Sequence, residues 1–130
     1  MVTLSVMPGR FSICRLAPGT PPWGVAGPFY SITRTDEELS IVCAESDVPA
    51  GVKAGGGWRA LKAEGPFDFK TIGIVASLST PLAVRGIGIF IISTFDTDYL
   101  LVKQEDLEAA SEALTLAGHQ LRAAGERSPR

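Results

Sequence analysis

Imidazole is almost missing from this chain. His119 is its one histidine, and it lies just past a predicted helix end, where a cationic ring suits the helix dipole. A hydrolase triad built on it is therefore not expected. Thiols are as scarce: Cys14 and Cys43 are the two cysteines. Each falls within an apolar strand pattern, so buried reduced thiols are expected rather than a disulfide. No Cys/His cluster stands at ligand spacing, which excludes a zinc-type centre, and no metal or cofactor is expected. Basic excess is lacking too. A net charge of −2 gives no electrostatic footprint for nucleic acid. No apolar run reaches membrane-spanning length. Met1-Val2-Thr3-Leu4-Ser5 has no basic residue and no long apolar core after it. A secretion signal is therefore not expected, and a cytoplasmic location is. The run Gly55-Gly56-Gly57 is not followed by Lys-Ser/Thr, so it is no phosphate loop.

What is present is ordinary globular material. With 130 residues and 45% hydrophobic content, the chain can bury about two-thirds of its unfolded surface, enough for one domain or two small fused ones. An internal repeat supplies the organisation. At a slide of sixty residues, Ile32–Glu45 falls on Ile92–Glu105, each reading as strand, acidic turn, strand and an acidic helix start.

Element by element, 11–16 alternates as a strand, and 17–24 is a turn-rich crossover too short for a long helix. Strands follow at 29–33 and 39–44, joined antiparallel by the acidic turn 34–38. A flexible connector occupies 46–57, then a strand 58–64. From about Phe69 to Val84, Ile72, Val75, Ser79 and Leu82 recur at helical spacing with Leu78 beside them, an apolar stripe that predicts a helix loosened by Pro81 and closed by Gly86. Residues 87–93 read as a strand buried mid-sheet, and 99–103 as its antiparallel partner. Glu105 and Asp106 open a second helix that ends at Gly118, and 120–130 reads as a flexible polar tail.

Strand–helix–strand–strand–helix over 58–118 is the ferredoxin-like order without its fourth strand. The expected fold class is α+β: two ferredoxin-like units, an antiparallel sheet with helices on one face, the first unit degenerate. The expected boundaries are 1–57 and 58–119. The missing strand is expected to come from the first unit.

Catalysis finds little support. Asp36, Glu37 and Glu38, or Asp96 and Asp98, read as turn formers, and Asp96-Thr97-Asp98 lacks the glycine and distal glutamate of a calcium loop. Binding is better served. Gly65-Pro66-Phe67-Asp68 joins a strand to a helix start whose amides suit a carboxylate. Ser93-Thr94-Phe95 and Asp98 lie at the same end of the sheet. Such a place fits a small zwitterion: amides for the carboxylate, an acid for the ammonium, Phe67 or Phe95 for packing.

These segments carry a resemblance. Gly65-Pro66-Phe67-Asp68-Phe69, the run Ser93 to Lys103, and Thr35 to Cys43 together resemble the small bacterial tandem ACT-domain proteins. Those proteins are similar to aspartate kinase regulatory tails and to CASTOR-type arginine sensors. The resemblance covers most of residues 10–119. It implies a non-enzymatic regulatory protein that binds a small ligand, typically an amino acid, between ACT units of a homodimer. By resemblance the contacts fall on Phe67, Asp68, Thr94, Phe95 and Asp98, with Gly88 and Ile89. The first unit, whose turn carries Arg34, Thr35 and Glu38, is expected to complete the fold rather than bind. The alternative is a dimerising interaction module without a ligand.

Overall fold

The structure, a computed structural model, describes residues 1–24, 26–64 and 72–123. Its strands are β1 (Thr3–Val6), β2 (Phe11–Leu16), β3 (Ser31–Arg34), β4 (Leu39–Ala44), β5 (Lys53–Ala63), β6 (Ile89–Ser93), β7 (Asp98–Lys103) and β8 (Gln120–Arg122), and its helices are α1 (Ile74–Val84) and α2 (Leu107–Leu116). The class is α+β with ferredoxin-like order, as the sequence predicts. The chain divides into two units. Gly9–Trp58 forms a strand unit, and Met1–Pro8 joins the residues from Arg59 onward in a helical unit. The first eight residues thus leave the 1–57 segment in which the sequence reading placed them, because β1 pairs with β5 and β8.

In the strand unit the register Ser12↔Cys43, Cys14↔Ile41 and Leu16↔Leu39 puts alternate residues of β2 and β4 on one face. Cys14, Leu39, Ile41 and Cys43 are buried there, and Trp23, Val48 and Val52 pack against them where the other unit has helices. No α-helix occurs among the described residues of this unit. Burial pushes the Cys14 thiol up. The Cys43 thiol is pushed up to about 11, first by burial and then by Cys14 and Asp47 nearby. Both thiols therefore stay protonated at neutral pH and act as small apolar side chains.

The expected connector 46–57 is partly strand: β5 begins at Lys53. Between the pairs Phe11↔Trp58 and Ile13↔Gly55 the glycine run inserts an extra residue, a β-bulge. Gly57 takes φ 80° there, a backbone setting that glycine tolerates. Its N–H donates to Glu45 Oε2 at 2.8 Å.

The helical unit orders its strands β6-β7-β5-β1-β8. β1 lies antiparallel to β5 (Leu4↔Ala63) and parallel to β8 (Thr3↔Gln120). Two expectations need correcting. The tail expected over 120–130 begins with a strand, because Gln120–Arg122 finds a partner in β1. Among the described strands β6 stands at the end of the order rather than at its centre, since β7 separates it from β5, and its apolar residues are only half-buried. The core collects Leu4, Leu61, Leu78, Leu82, Leu100, Val102 and Leu114.

The phase of α1 also differs. It starts at Ile74, not near Phe69; residues 69–71 lie outside the described ones. Its buried stripe is Leu78 and Leu82 with Ile74 packed beside them, while Ile72 is 94% and Val75 40% exposed. Starting the stripe at Ile72 places it nearly a turn early and rotates it off the core face.

Both helices end in the same way. Gly86 and Gly118 adopt φ 72° and 96°. The next residues, Ile87 and His119, donate their N–H to Leu82 O and Leu114 O, each at 3.0 Å, the double-bonded glycine cap. That geometry turns Ile87 and His119 inward, and both are buried. His119 is therefore not a surface cation facing the helix dipole. Its Nδ1 accepts the Val2 N–H at 3.1 Å, and its Nε2 lies 2.9 Å from Ser77 O. A ring that accepts at Nδ1 and donates at Nε2 is the neutral Nε2–H tautomer. Ser77 O is the carbonyl that residue 81 would bond in a regular helix, and Pro81 has no N–H to offer. The imidazole replaces the missing donor.

His119→Ala is expected to lower stability by about 2 kcal/mol, because the buried Val2 amide loses its acceptor. In a Pro81→Ala background the restored N–H can reach Ser77 O, so the same substitution should cost measurably less. Urea unfolding of the four proteins checks this; equal costs in both backgrounds would show that the Ser77 contact contributes nothing.

Candidate functional site

The residues singled out by sequence fall into three groups. Phe67 and Asp68 lie outside the described residues. Thr94, Phe95 and Asp98 come together in the β6–β7 turn. Gly88 and Ile89 do not join them: Ile89 pairs with Val102 at one end of the ladder and Ser93 with Asp98 at the other, about 13 Å apart along the strand.

The turn is closed from within. Thr94 N–H donates to Thr97 O at 2.8 Å. Thr94 Oγ1 accepts the Thr97 N–H at 3.2 Å and donates to Thr97 O at 3.1 Å. The Thr94 hydroxyl is thus spent on the turn, as Ser/Thr hydroxyls commonly are. Asp98 has a different task. Its carboxylate accepts a hydrogen bond from Ser93 Oγ, its direct cross-strand neighbour, and keeps acceptor capacity to spare. Phe95 sits at the tip, 77% exposed. Sequence reasoning missed Thr97, which is buried and donates its hydroxyl to Ala63 O at the end of β5. It also missed Glu64, whose Oε1 accepts from Ser5 Oγ at 2.6 Å.

The strand unit contains the same turn. Thr35 N–H donates to Glu38 O at 2.9 Å, and Thr35 Oγ1 accepts the Glu37 and Glu38 N–H groups at 3.1 and 3.2 Å. The last cross-strand pair is Arg34↔Leu39, against Ser93↔Asp98. The one-turn 3₁₀ helices Glu45–Asp47 and Gln104–Asp106 follow at matching positions. These correspondences run at 59 residues, so the sixty-residue slide of the sequence reading is one position out. In a ladder, one position exchanges the faces. At the true spacing Thr35 matches Thr94, Ile41 matches Leu100, and Leu39 matches Asp98. The chain thereby contains its own control. The threonine is common to both turns and so belongs to turn closure. Where the helical unit has Asp98, the strand unit has fully buried Leu39, and its turn closes all the same. A carboxylate here is surplus to folding.

No group of three or more metal-ligating side chains occurs among the described residues. No described helix is long and apolar enough to cross a membrane.

A family model for the ACT domain matches residues 53–115. Residues 53–115 are an ACT domain. A separate model for an N-terminal domain matches residues 9–51. The cytosolic arginine sensor for mTORC1 subunit 1 of Rattus norvegicus is 30% identical over 111 residues, 79% of this chain and 34% of that protein. The Homo sapiens protein of the same name is 36% identical over 94 residues, 66% of this chain and 29% of that protein. The chain thus spans about a third of the length of these curated relatives. Among solved structures, protein Atu0741 from Agrobacterium tumefaciens matches with a TM-score of 0.89 at 44% identity, covering 99% of this chain and 98% of that one. The ligand-free regulatory subunit of aspartate kinase from Thermus thermophilus shares the fold, with a TM-score of 0.63 at 15% identity over 88% of this chain and 97% of that chain. ACT architecture therefore accounts for the ferredoxin-like order of the helical unit, and this family is one of regulatory, ligand-binding domains.

The internal control has a direct test in unfolding experiments. Thr94→Val should cost about 1 kcal/mol, because it strips the Thr97 N–H of its acceptor. Asp98→Ala should stay within about 0.5 kcal/mol of the parent, as expected of a site away from the core.

Proposed function

We propose that this ACT-domain chain is a non-catalytic, cytoplasmic regulatory protein that binds an amino acid at an interface between ACT units of a homodimer. The observation that carries the reading is Asp98: a partly buried carboxylate that the duplicate turn does without, and hence one available to an ammonium or guanidinium group. In this reading Asp98 holds the cationic group and Phe95 packs on the ligand. Phe67 and Asp68 contribute from the strand–helix loop, and Thr94 holds the turn in shape. The names of the animal relatives point to amino-acid sensing, with arginine as the first ligand to try.

The homodimer reading rests on β6. β6 stands beside β7 at the end of the described strand order, and its sequence Ile89-Phe90-Ile91-Ile92-Ser93 has no charge or proline to discourage strand pairing. Antiparallel pairing of β6 with a second copy would lay the partner copy's Gly88–Ile89 beside Ser93–Thr94 of the first. That accounts for how residues at opposite ends of one strand could serve one ligand.

Two measurements test the proposal. In thermal unfolding with each of the twenty amino acids at millimolar concentration, a ligand at about a hundred times its Kd should add about 2.7 kcal/mol and raise Tm by several degrees, and Asp98→Ala should remove most of that gain. A null screen would leave a ligand-free dimerisation module as the better reading. Light scattering at tens of micromolar should give a dimer mass; a monomer would refute the interface.

A further inference from the structure

Thr97 is the one buried residue of a turn whose other three positions are exposed. Each of its polar groups is used. The N–H donates to Thr94 Oγ1, the carbonyl accepts from the Thr94 N–H, and the hydroxyl donates to Ala63 O. The first two bonds close the turn and recur in the strand unit. The third does not, because the matching residue there is Glu38. Thr97 and Asp98 are therefore neighbours that share one property: both are specific to the helical unit, and neither side chain is needed to close the turn.

The third bond ties the turn to the end of β5. Ala63 is the last residue of β5, and Glu64 follows, anchored by its N–H to Thr3 O at 2.8 Å and by its carboxylate to Ser5 Oγ at 2.6 Å. One hydroxyl thus fixes where the Asp98-bearing turn stands relative to the end of β5 and the anchored Glu64. We infer that Thr97 is the positioning residue of the ligand site: it touches no ligand but sets the spacing between Asp98 and the β5 exit. The inference rests on the binding reading above and adds a determinant to it. A site whose contacts must lie within about half an ångström of the productive geometry depends on this kind of support.

The test compares Thr97→Val, which keeps the shape and removes the hydroxyl, with Thr97→Ser, which keeps the hydroxyl. Binding is read by calorimetric titration with L-arginine and with any other amino acid that shifts the melting of the parent protein. Thr97→Val should weaken Kd by about tenfold, the loss expected when one hydrogen bond no longer holds the geometry, and Thr97→Ser should stay within about twofold. Should Thr97→Val not fold, Thr97→Ala carries the same expectation. Parent-like affinity in the valine variant, or equal weakening in the serine variant, would overturn the positioning role and leave the binding reading intact. A parent protein that binds none of the twenty amino acids would overturn both.

Discussion

A neutral imidazole in an apolar setting holds the helical unit closed. His119 accepts from the Val2 amide at one nitrogen and serves the Ser77 carbonyl at the other, so it joins the beginning of β1 to the middle of α1. Each partner has a reason to need it. Val2 lies one residue before a strand set between β5 and β8, and Pro81 has taken away the donor that Ser77 would otherwise use. The glycine cap of α2 delivers the ring to that position. Sheet order, helix packing and the end of the domain thus meet at one side chain, which explains why the only histidine of the chain is structural.

Set side by side, the two turns show which residues closing the hairpin requires. Both units close a hairpin with a threonine hydroxyl, follow it with apolar residues on the same faces, and end in a 3₁₀ turn. What differs is confined to adjacent positions. Leu39 feeds a core, whereas Asp98 presents a charge beside a serine; Glu38 is half-exposed, whereas Thr97 is buried and tied to β5. One copy thus serves as framework, and the other carries side chains that the hairpin itself does not require. The loss of helices from the strand unit fits the same division, since Trp23, Val48 and Val52 suffice to cover its sheet.

Much of this was legible in the residues. Alternation located β2, the acidic turns located β4 and β7 as second strands of hairpins, the short crossover after Leu16 signalled a helix-poor unit, and the apolar setting of Cys14 and Cys43 marked them as structural thiols. The parts that escaped depend on distant partners. β1 and β8 are short strands made by pairing across 117 residues (Thr3 with Gln120), which no local pattern encodes. The glycine-rich start of β5 looks like a linker because its strand character comes from β2. The hairpin offset was missed by one because Ile89–Ile92 is apolar at every position, so hydrophobicity alone fits either register. For α1, Ile72 and Val75 have the right spacing but the wrong phase, which is set by what Leu78 and Leu82 meet across the sheet. In the candidate site, residue type and turn position suggest Asp98 and Phe95, whereas nothing local suggests Thr97, whose hydroxyl bonds a carbonyl 34 residues away.

The placement of β1 also imposes an order of events on a growing chain. Its first partner, β5, is complete only after the whole strand unit has been synthesised, and its second, β8, only after α2. The strand unit has all of its described pairings within Gly9–Trp58 and can condense while the ribosome is still making the rest. β1 must meanwhile wait with both edges unsatisfied, and its closure carries the loop entropy of a long separation. The sheet is then completed by β8 adding beside β1, and the span during which β1 remains open is when a nascent chain of this design is most exposed to pairing with a neighbour.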